Sequence, residues 1–323
     1  MTDAPAVIDA PAVTDAPAVT DAPRGLFAGL TTVDVIHRLD RLPGPDEKVT
    51  ACAQEVLAGG PAAVAAIAFA ALGGRATLVT ALGTHPLAEV ARADLRSHGV
   101  DVVDVAEASV ELPVSAVRVH AGSGQRSVSS PDATVAALTE LDPPGDLPAL
   151  VERADVVLLD GHYPRLAGPV ASAARGGGIA VMLDAGRWRP VFADLLSRAD
   201  FVIASAAFEI DGAADPLEAV LAAGVPAVAR SAGSRPIRWA VSGTSGEVVV
   251  AAVEGGDTLG AGDVLHGAAA FAVACTGGGP ALAHWPQVLR FAADVATARV
   301  GHVGARSWLE DPRLRRWAEL WLT

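Results

Sequence analysis

The sequence predicts an α/β sandwich built on a mainly parallel sheet. Three observations carry this. Short apolar runs close on turn residues, as in "ADVVLLDGH", "IAVMLDAG", "ADFVIASAAF", "VPAVARSAG" and "EVVVAAVEGGD". Strands buried on both faces read this way, without polar alternation. Helix-like segments separate the runs, so βα alternation covers most of the chain. The length of 323 residues, 51% of them hydrophobic, suffices for one large core.

In chain order, the first residues repeat a proline-containing hexamer, with Asp3, Asp9, Asp15 and Asp21 in register. Proline in every unit opposes helix and sheet, and so short a repeat cannot bury a core. Residues 1–24 are therefore expected to be a disordered tail, and residues 25–323 the folded domain. "GLFAGLTTVDVIHRLD" reads as a strand ending near Asp34, then a second extended piece. "KVTACAQEVLAGG" has strand character, "PAAVAAIAFAALGG" is a helix with a glycine stop, and "RATLVTALG" is a strand. "PLAEVARADLRSHGV" is an amphipathic helix with Leu87, Val90, Ala91 and Leu95 on one face. "SAVRVHAGSGQRSVSS" is a hairpin around Gly122–Gly124. The extended pieces near 34–58 and 112–130 break the βα alternation and predict a small separate sheet, a lid.

The formal charge of −13 excludes nucleic acid as the main partner, because a polyanion needs a basic surface. No apolar run is long enough for a membrane span. Two cysteines, Cys52 and Cys275, make no disulfide framework, and no signal peptide is visible. A cytoplasmic protein is expected.

The chemistry concentrates in "GGDTLGAGDVLHGAA", Gly255 to Ala269. Thr258-Leu259-Gly260-Ala261-Gly262 has little bulk to block approach to its N–H groups. Those groups and the positive end of the helix that follows make an anion site, suited to phosphate. Asp263 at the helix start repels phosphate, so its use there is as a base toward an attacking hydroxyl. A plain helix N-cap is the other reading of that aspartate.

"DTLGAGD" resembles the C-terminal signature of the PfkB, or ribokinase-like, carbohydrate kinases. The likeness extends through "GLTTVDVIHRLDRLPGPDEKV", "AGGPAAVAAIAFAALGGRATLVTALG", "SHGVDV" and "RFAADVATARVGHVGARSW". It implies a ribokinase-like three-layer sandwich with a small β-sheet lid that can pair two chains into a homodimer. It implies ATP and Mg²⁺ as cofactors, with room for a monovalent cation, and a small-molecule sugar as substrate. Asp263 becomes the general base and Gly260, Ala261 and Gly262 the anion hole. Asp34, Gly59 and Gly60 hold the sugar hydroxyls. The nucleotide falls against Thr258, Ala232, Gly233 and Gly304. The "GGPAA" form is similar to that of the sulfofructose kinases, whose sulfonate-binding lysine and arginine fall at Lys48 and His162.

The sequence departs from the family at several places. Val64 stands where an asparagine follows the double glycine. Ser205 and Phe208 replace the family's Asn-x-x-Glu, with Glu209 one residue out of step. "RSAG" and "GTHPLAE" replace two further motifs. Two alternatives stay open: a catalytically weak binding member of the fold, or a kinase of a nucleoside or vitamin alcohol. Arg187, Trp188 and Arg189 follow a strand end and either turn into the crevice or lie on the surface. His266 either touches phosphates or packs its helix.

Overall fold

The computed structural model describes residues 22–107, 110–132, 140–241 and 243–322. Residues 1–21, which hold nearly all of the Asp-Ala-Pro repeat, lie outside them. Strand β1 (Arg24–Ala28) is followed by β2 (Thr32–Leu39), β3 (Ala53–Gly59), helix α1 (Pro61–Ala71), β4 (Arg75–Thr80), α2 (Pro86–Ser97) and β5 (Val100–Asp104). Next come β6 (Val114–His120), β7 (Arg126–Ser129), α3 (Leu147–Glu152), β8 (Val156–Leu159), α4 (Pro164–Gly176), β9 (Ala180–Ala185), α5 (Phe192–Leu195) and β10 (Phe201–Ala204). The last part holds α6 (Pro216–Ala222), β11 (Ala227–Ala232), β12 (Arg235–Val241), β13 (Thr244–Val248), α7 (Ala261–Thr276), α8 (Gly278–Ala283), α9 (Trp285–Val300) and α10 (Pro312–Leu322).

Among the described residues, nine strands form one sheet in the order β13-β12-β11-β10-β9-β8-β1-β4-β5. The seven from β11 to β5 run parallel, and β12 and β13 add an antiparallel edge. Alternate side chains enter two cores on opposite faces. Phe27, Val156, Leu158 and Met182 join α1, α2, α7 and α9 on one side. Leu26, Val157, Leu159, Val181 and Leu183 join α3, α4 and α6 on the other. Three layers result, as expected for apolar strands covered on both faces. Helix α1 is buried all round because it lies between the sheet and α7. Gly267 of α7 makes that packing close: a Cβ there would stand 2.2 Å from the Ala65 carbonyl oxygen.

The lid is a second sheet, β3-β2-β6-β7, with β2 and β6 parallel and the other pairs antiparallel. Asp34, Ile36 and Arg38 share its inner face with Leu57, Glu55, Ser115 and Val117. Val56 and Val114 are exposed on the outer face.

Two boundaries correct the sequence reading. The first strand ends at Ala28, not near Asp34, which lies inside β2 of the lid. The chain leaves the main sheet because the Asp160 carboxylate takes the Leu30 N–H at 2.8 Å. Gly29 gives that carboxylate room, since a Cβ there would stand 2.2 Å from it. "EVVVAAVEGGD" is not one strand. β13 ends at Val248 and is antiparallel to its neighbour. Residues 249–256 run outside the sheet to a turn at Gly255, φ 64°, and the Asp257 N–H then bonds the Val300 carbonyl at the end of α9.

Candidate active site

Parallel strands present their carboxyl ends on one edge, where ligands of open α/β sheets bind. Here that edge carries Asp160 after β8, Asp184 near the end of β9, Ser205 after β10 and Ala232 at the end of β11. The first turn of α7 and the inner face of the lid add Asp263 and Asp34.

Asp34 accepts the Thr32 hydroxyl at 2.6 Å. Burial raises its carboxyl above the usual range, against the hydrogen bonds of Thr32 and Ser115 and the charge of Arg306. Gly59 lies directly against it, for a Cβ at that position would fall 2.2 Å from the Asp34 carboxylate. Gly60 caps α1 at φ 95°, where a Cβ would stand 2.3 Å from the Leu30 carbonyl. The structure therefore brings Asp34, Gly59 and Gly60 together. Val64 is buried in the core and faces Gly260, whose own Cβ would meet it at 3.5 Å. An apolar wall stands where the family has an amide.

Gly260 adopts the left-handed conformation at φ 72° and caps α7. The Ala261 N–H turns to the Thr258 carbonyl at 3.3 Å, and the Val264 N–H returns to Gly260 at 3.0 Å. The Gly262 N–H has no partner among the described residues, and the space where its side chain would stand is open. Asp263 follows it. Burial, then the neighbouring Asp184 carboxylate, raises the Asp263 carboxyl to about 7, with His266 and Arg126 opposing. Asp184 is buried, its carboxyl is raised mainly by burial, and its Oδ2 lacks a partner among the described residues. His266 is a link between these parts. Its ring nitrogens reach the Gly262 carbonyl at 2.7 Å and the Ile203 carbonyl at 3.0 Å, and Nε2 stands 3.4 Å from Asp184.

Asp257, the other aspartate of the motif, faces away from the anion site. It is buried and meets Arg38 of the lid at 2.7 Å and Arg299 at 3.5 Å. It also accepts the Leu259 N–H at 3.1 Å and the Gly304 N–H at 3.3 Å. Burial alone would raise its carboxyl, but Arg299, the Leu259 N–H and Arg38 outweigh it and hold the carboxyl below its usual range. Gly304 thus sits at the base of the lid, where the adjoining Ala305 N–H bonds Glu55 at 3.1 Å. Thr258 is also engaged by the lid: Arg126 donates to its hydroxyl at 2.6 Å. The lid turn rests on this segment so closely that a Cβ on Gly124 would fall 1.7 Å from the Gly256 carbonyl.

Ala232 and Gly233, φ 64°, form the turn from β11 to β12. A groove of about 350 Å³ there is lined by Ala206, Arg230, Ala232, Arg235, Pro236 and Arg238, with Glu247. Glu209 pairs with Arg230 at 2.6 Å and is exposed. Phe208 is buried in an aromatic group with Trp188 and Phe192. Ser205 donates to the Gly186 carbonyl at 2.5 Å. Lys48 is exposed in the loop between β2 and β3.

His162 lies just past β8, buried, 3.1 Å from Asp160 and 3.4 Å from Asp132. Burial disfavours its charge, but the two carboxylates prevail and raise its pKa to about 9. Asp132 also meets Arg187 at 2.8 Å and Arg189 at 3.2 Å, and Arg189 touches the His162 ring. The Asp132 carboxyl falls to about 2, first through His162. The sequence reading missed Asp160, Asp184, Asp132 and Arg126. The Asp-Gly and Asp-Ala-Gly closing β8 and β9 were the available signals for the first two. Asp132 and Arg126 carried none. Among the described residues, no helix is long and apolar enough to cross a membrane, and no group of three or more His, Cys, Asp or Glu is placed to hold a metal ion.

The fold is a three-layer α/β sandwich with a second, lid-like sheet, and a carboxylate stands beside a glycine turn at the start of α7. Residues 26–312 match the pfkB family carbohydrate kinases, and the chain belongs to that family. Its solved relatives share the fold. Ribokinase from Arabidopsis thaliana, solved with ribose and ATP, superposes with a TM-score of 0.72 at 24% identity, over 94% of this chain and 99% of that one. Ribokinase from Giardia lamblia gives a TM-score of 0.77 at 17% identity, over 93% and 99%. The chain is also similar to the ATP-dependent ribose-1-phosphate kinase of Halopiger xanaduensis, 33% identical over 168 residues. That match spans 51% of this chain and 54% of the relative, about half its length.

Proposed function

We propose that this protein transfers the γ-phosphoryl group of ATP to a hydroxyl of a sugar or sugar derivative. The observation that carries the reading is Asp263: a carboxyl raised to about 7 at a helix start, beside an unpartnered Gly262 N–H. A base near neutral pH is what proton removal from an alcohol calls for.

The acceptor hydroxyl lies between Asp34 and Asp263, and Asp34 with the Gly59–Gly60 loop holds neighbouring hydroxyls. Asp263 takes the hydroxyl proton, the oxygen forms a bond to the γ-phosphorus, and the bond to the ADP oxygen breaks. The Gly262 N–H and the α7 terminus face the transferred charge. The turn at Ala232–Gly233 and its groove receive the nucleotide. The lid bars water from the site, Arg126 tying its inner face to Thr258. Asp184, whose buried Oδ2 has no partner among the described residues, is the residue that would hold Mg²⁺ through its waters, and the ion would supply neutralisation of phosphate charge. The exposed Val56 and Val114 on the outer lid face support pairing of two chains there.

The similarity to a ribose-1-phosphate kinase widens the acceptor class to sugar phosphates. The experiment is ADP formation from Mg·ATP against a panel of sugars and their phosphates. Substrate-dependent ADP supports the kinase. ATP binding without turnover of any alcohol favours the binding-protein reading, which the buried Phe208 and the Glu209–Arg230 pair motivate.

A further inference from the structure

We infer, building on the kinase reading above, that Arg38 is a positioning residue. Its guanidinium, carried by the lid, fills the place beside Asp257 where a monovalent cation could sit, and holds the glycine turn in shape for transfer. Catalysis then needs no added monovalent cation, and the turn is complete only with the lid in place.

The family resemblance leaves room for a monovalent cation, and hard cations take oxygen ligands. Asp257 is the buried carboxylate of the glycine motif, but N–H donors already engage the oxygens there. Its Oδ2 meets Arg38 at 2.7 Å, the Gly304 N–H at 3.3 Å and Arg299 Nη2 at 3.5 Å. Its Oδ1 accepts the Leu259 N–H at 3.1 Å. Arg299 Nη1 donates to the Asp257 carbonyl at 3.4 Å and the His302 carbonyl at 3.0 Å. Arg299 Nη2 is buried and makes no hydrogen bond among the described residues, so donors outnumber acceptors. The charges agree. Arg38 also meets Glu55 at 3.1 Å, so two guanidiniums stand against two carboxylates. Arg306, the next cation along the chain, has its own partner in Asp94 at 2.8 Å. A further cation would be enclosed against two guanidiniums with no carboxylate to spare. The residues present do not fit one.

The effect reaches the chemistry through bonds. Asp257 pins the Leu259 N–H, the Thr258 carbonyl takes the Ala261 N–H at 3.3 Å, and Gly260 turns left-handed to open α7. The Gly262 N–H and Asp263 follow directly on this turn. At the other end, Arg38 and Asp34 lie on one face of β2, four residues or ~13 Å of strand apart. β2 is paired on both sides, with β3 and β6, and moves as one piece. A lid that settles on the acceptor through Asp34 therefore carries Arg38 to Asp257 in the same movement. An ion from solution has no such link to the acceptor.

The test has two arms. The first measures kcat and KM with the best acceptor of the panel, in KCl, NaCl and choline chloride at one ionic strength, for the parent protein, Arg38→Lys and Arg38→Ala. The parent is expected to work equally in the three salts. Arg38→Ala lowers kcat by about 10- to 100-fold, the effect of a misplaced turn, with KM for ATP little changed. Millimolar guanidinium, far below its denaturing range, restores much of that kcat, and Arg38→Lys, which keeps the charge, lies between the two. The second arm needs no turnover. Millimolar guanidinium raises the Tm of Arg38→Ala and leaves the parent unmoved, and KCl stabilises the parent no more than choline chloride does. That result supports the inference even if no acceptor is turned over, in which case the kinase reading alone fails. A parent kcat or Tm that rises with K⁺ or Na⁺ over choline overturns it. So does an Arg38→Ala protein with the parent's kcat, or one whose lost kcat no small cation restores; either leaves the kinase reading standing.

Discussion

Arg38 of the lid and Asp257 of the glycine motif form a 2.7 Å ion pair, with side chains only 7% and 2% exposed. The two aspartates of the motif thereby divide the work. Asp257 ties the lid, the turn and the chain after α9 together, while Asp263 stands at the start of α7 beside the Gly262 N–H, where the proposed reaction takes place. Replacing one partner of a buried pair costs about 3–5 kcal/mol, because the other charge is left enclosed. Arg299 and two backbone N–H groups stay with Asp257 after Arg38→Met, so the expected loss is near the lower end, about 3 kcal/mol. Urea unfolding measures it, and an unchanged midpoint contradicts the anchoring role.

The raised Asp263 carboxyl fixes the sign of the pH response. Below about 7 the folded protein holds the proton that the base must lack. kcat/KM is expected to climb about tenfold per pH unit up to that point and to level off above it. For stability the sign reverses. The folded state keeps a proton that the unfolded state has released, so this group's contribution falls as pH rises from about 4 to about 7. Asp263→Asn should therefore raise Tm by a few degrees at pH 8 while losing activity.

His266 holds the Gly262 carbonyl and its positive influence lowers the Asp263 carboxyl. His266→Gln is expected to move the acid limb of the kcat/KM profile to higher pH and to reduce kcat by about tenfold, as misplacement of a supporting group does. An unshifted limb would show that the imidazole only packs the helix.

Gly59→Ala places a methyl 2.2 Å from the Asp34 carboxylate. The prediction is a large rise in KM for the acceptor with little change in KM for ATP, because the clash lies on the sugar side. Equal effects on both would place Asp34 outside the sugar site.

Much of this was legible in the chain. The alternation of apolar runs and helices gave the parallel sheet, since burial on both faces leaves a local pattern. The lid was visible as extended pieces that broke the alternation. Asp263 and its Gly-Ala-Gly turn were legible because a turn without side chains beside a carboxylate is a local signature, whereas Asp34 and the Gly59–Gly60 segment were singled out by the family resemblance alone. What escaped depended on distant contacts. The switch from main sheet to lid at Gly29–Thr31 is set by Asp160, 131 positions beyond Gly29. β12, "RPIRWAV", mixes exposed polar and apolar residues and was passed over in a search for apolar runs. Asp132 and Arg126 gain meaning only from the lid's approach to the strand ends, which no local pattern encodes.

The most direct test of the central claim is the rate of ADP formation in a single turnover by Asp263→Asn, with Mg·ATP and the best acceptor of the panel. The account predicts a rate about 10²–10⁴ lower than the parent, the share a general base supplies, with ATP binding intact. An equal rate in the two proteins would contradict it.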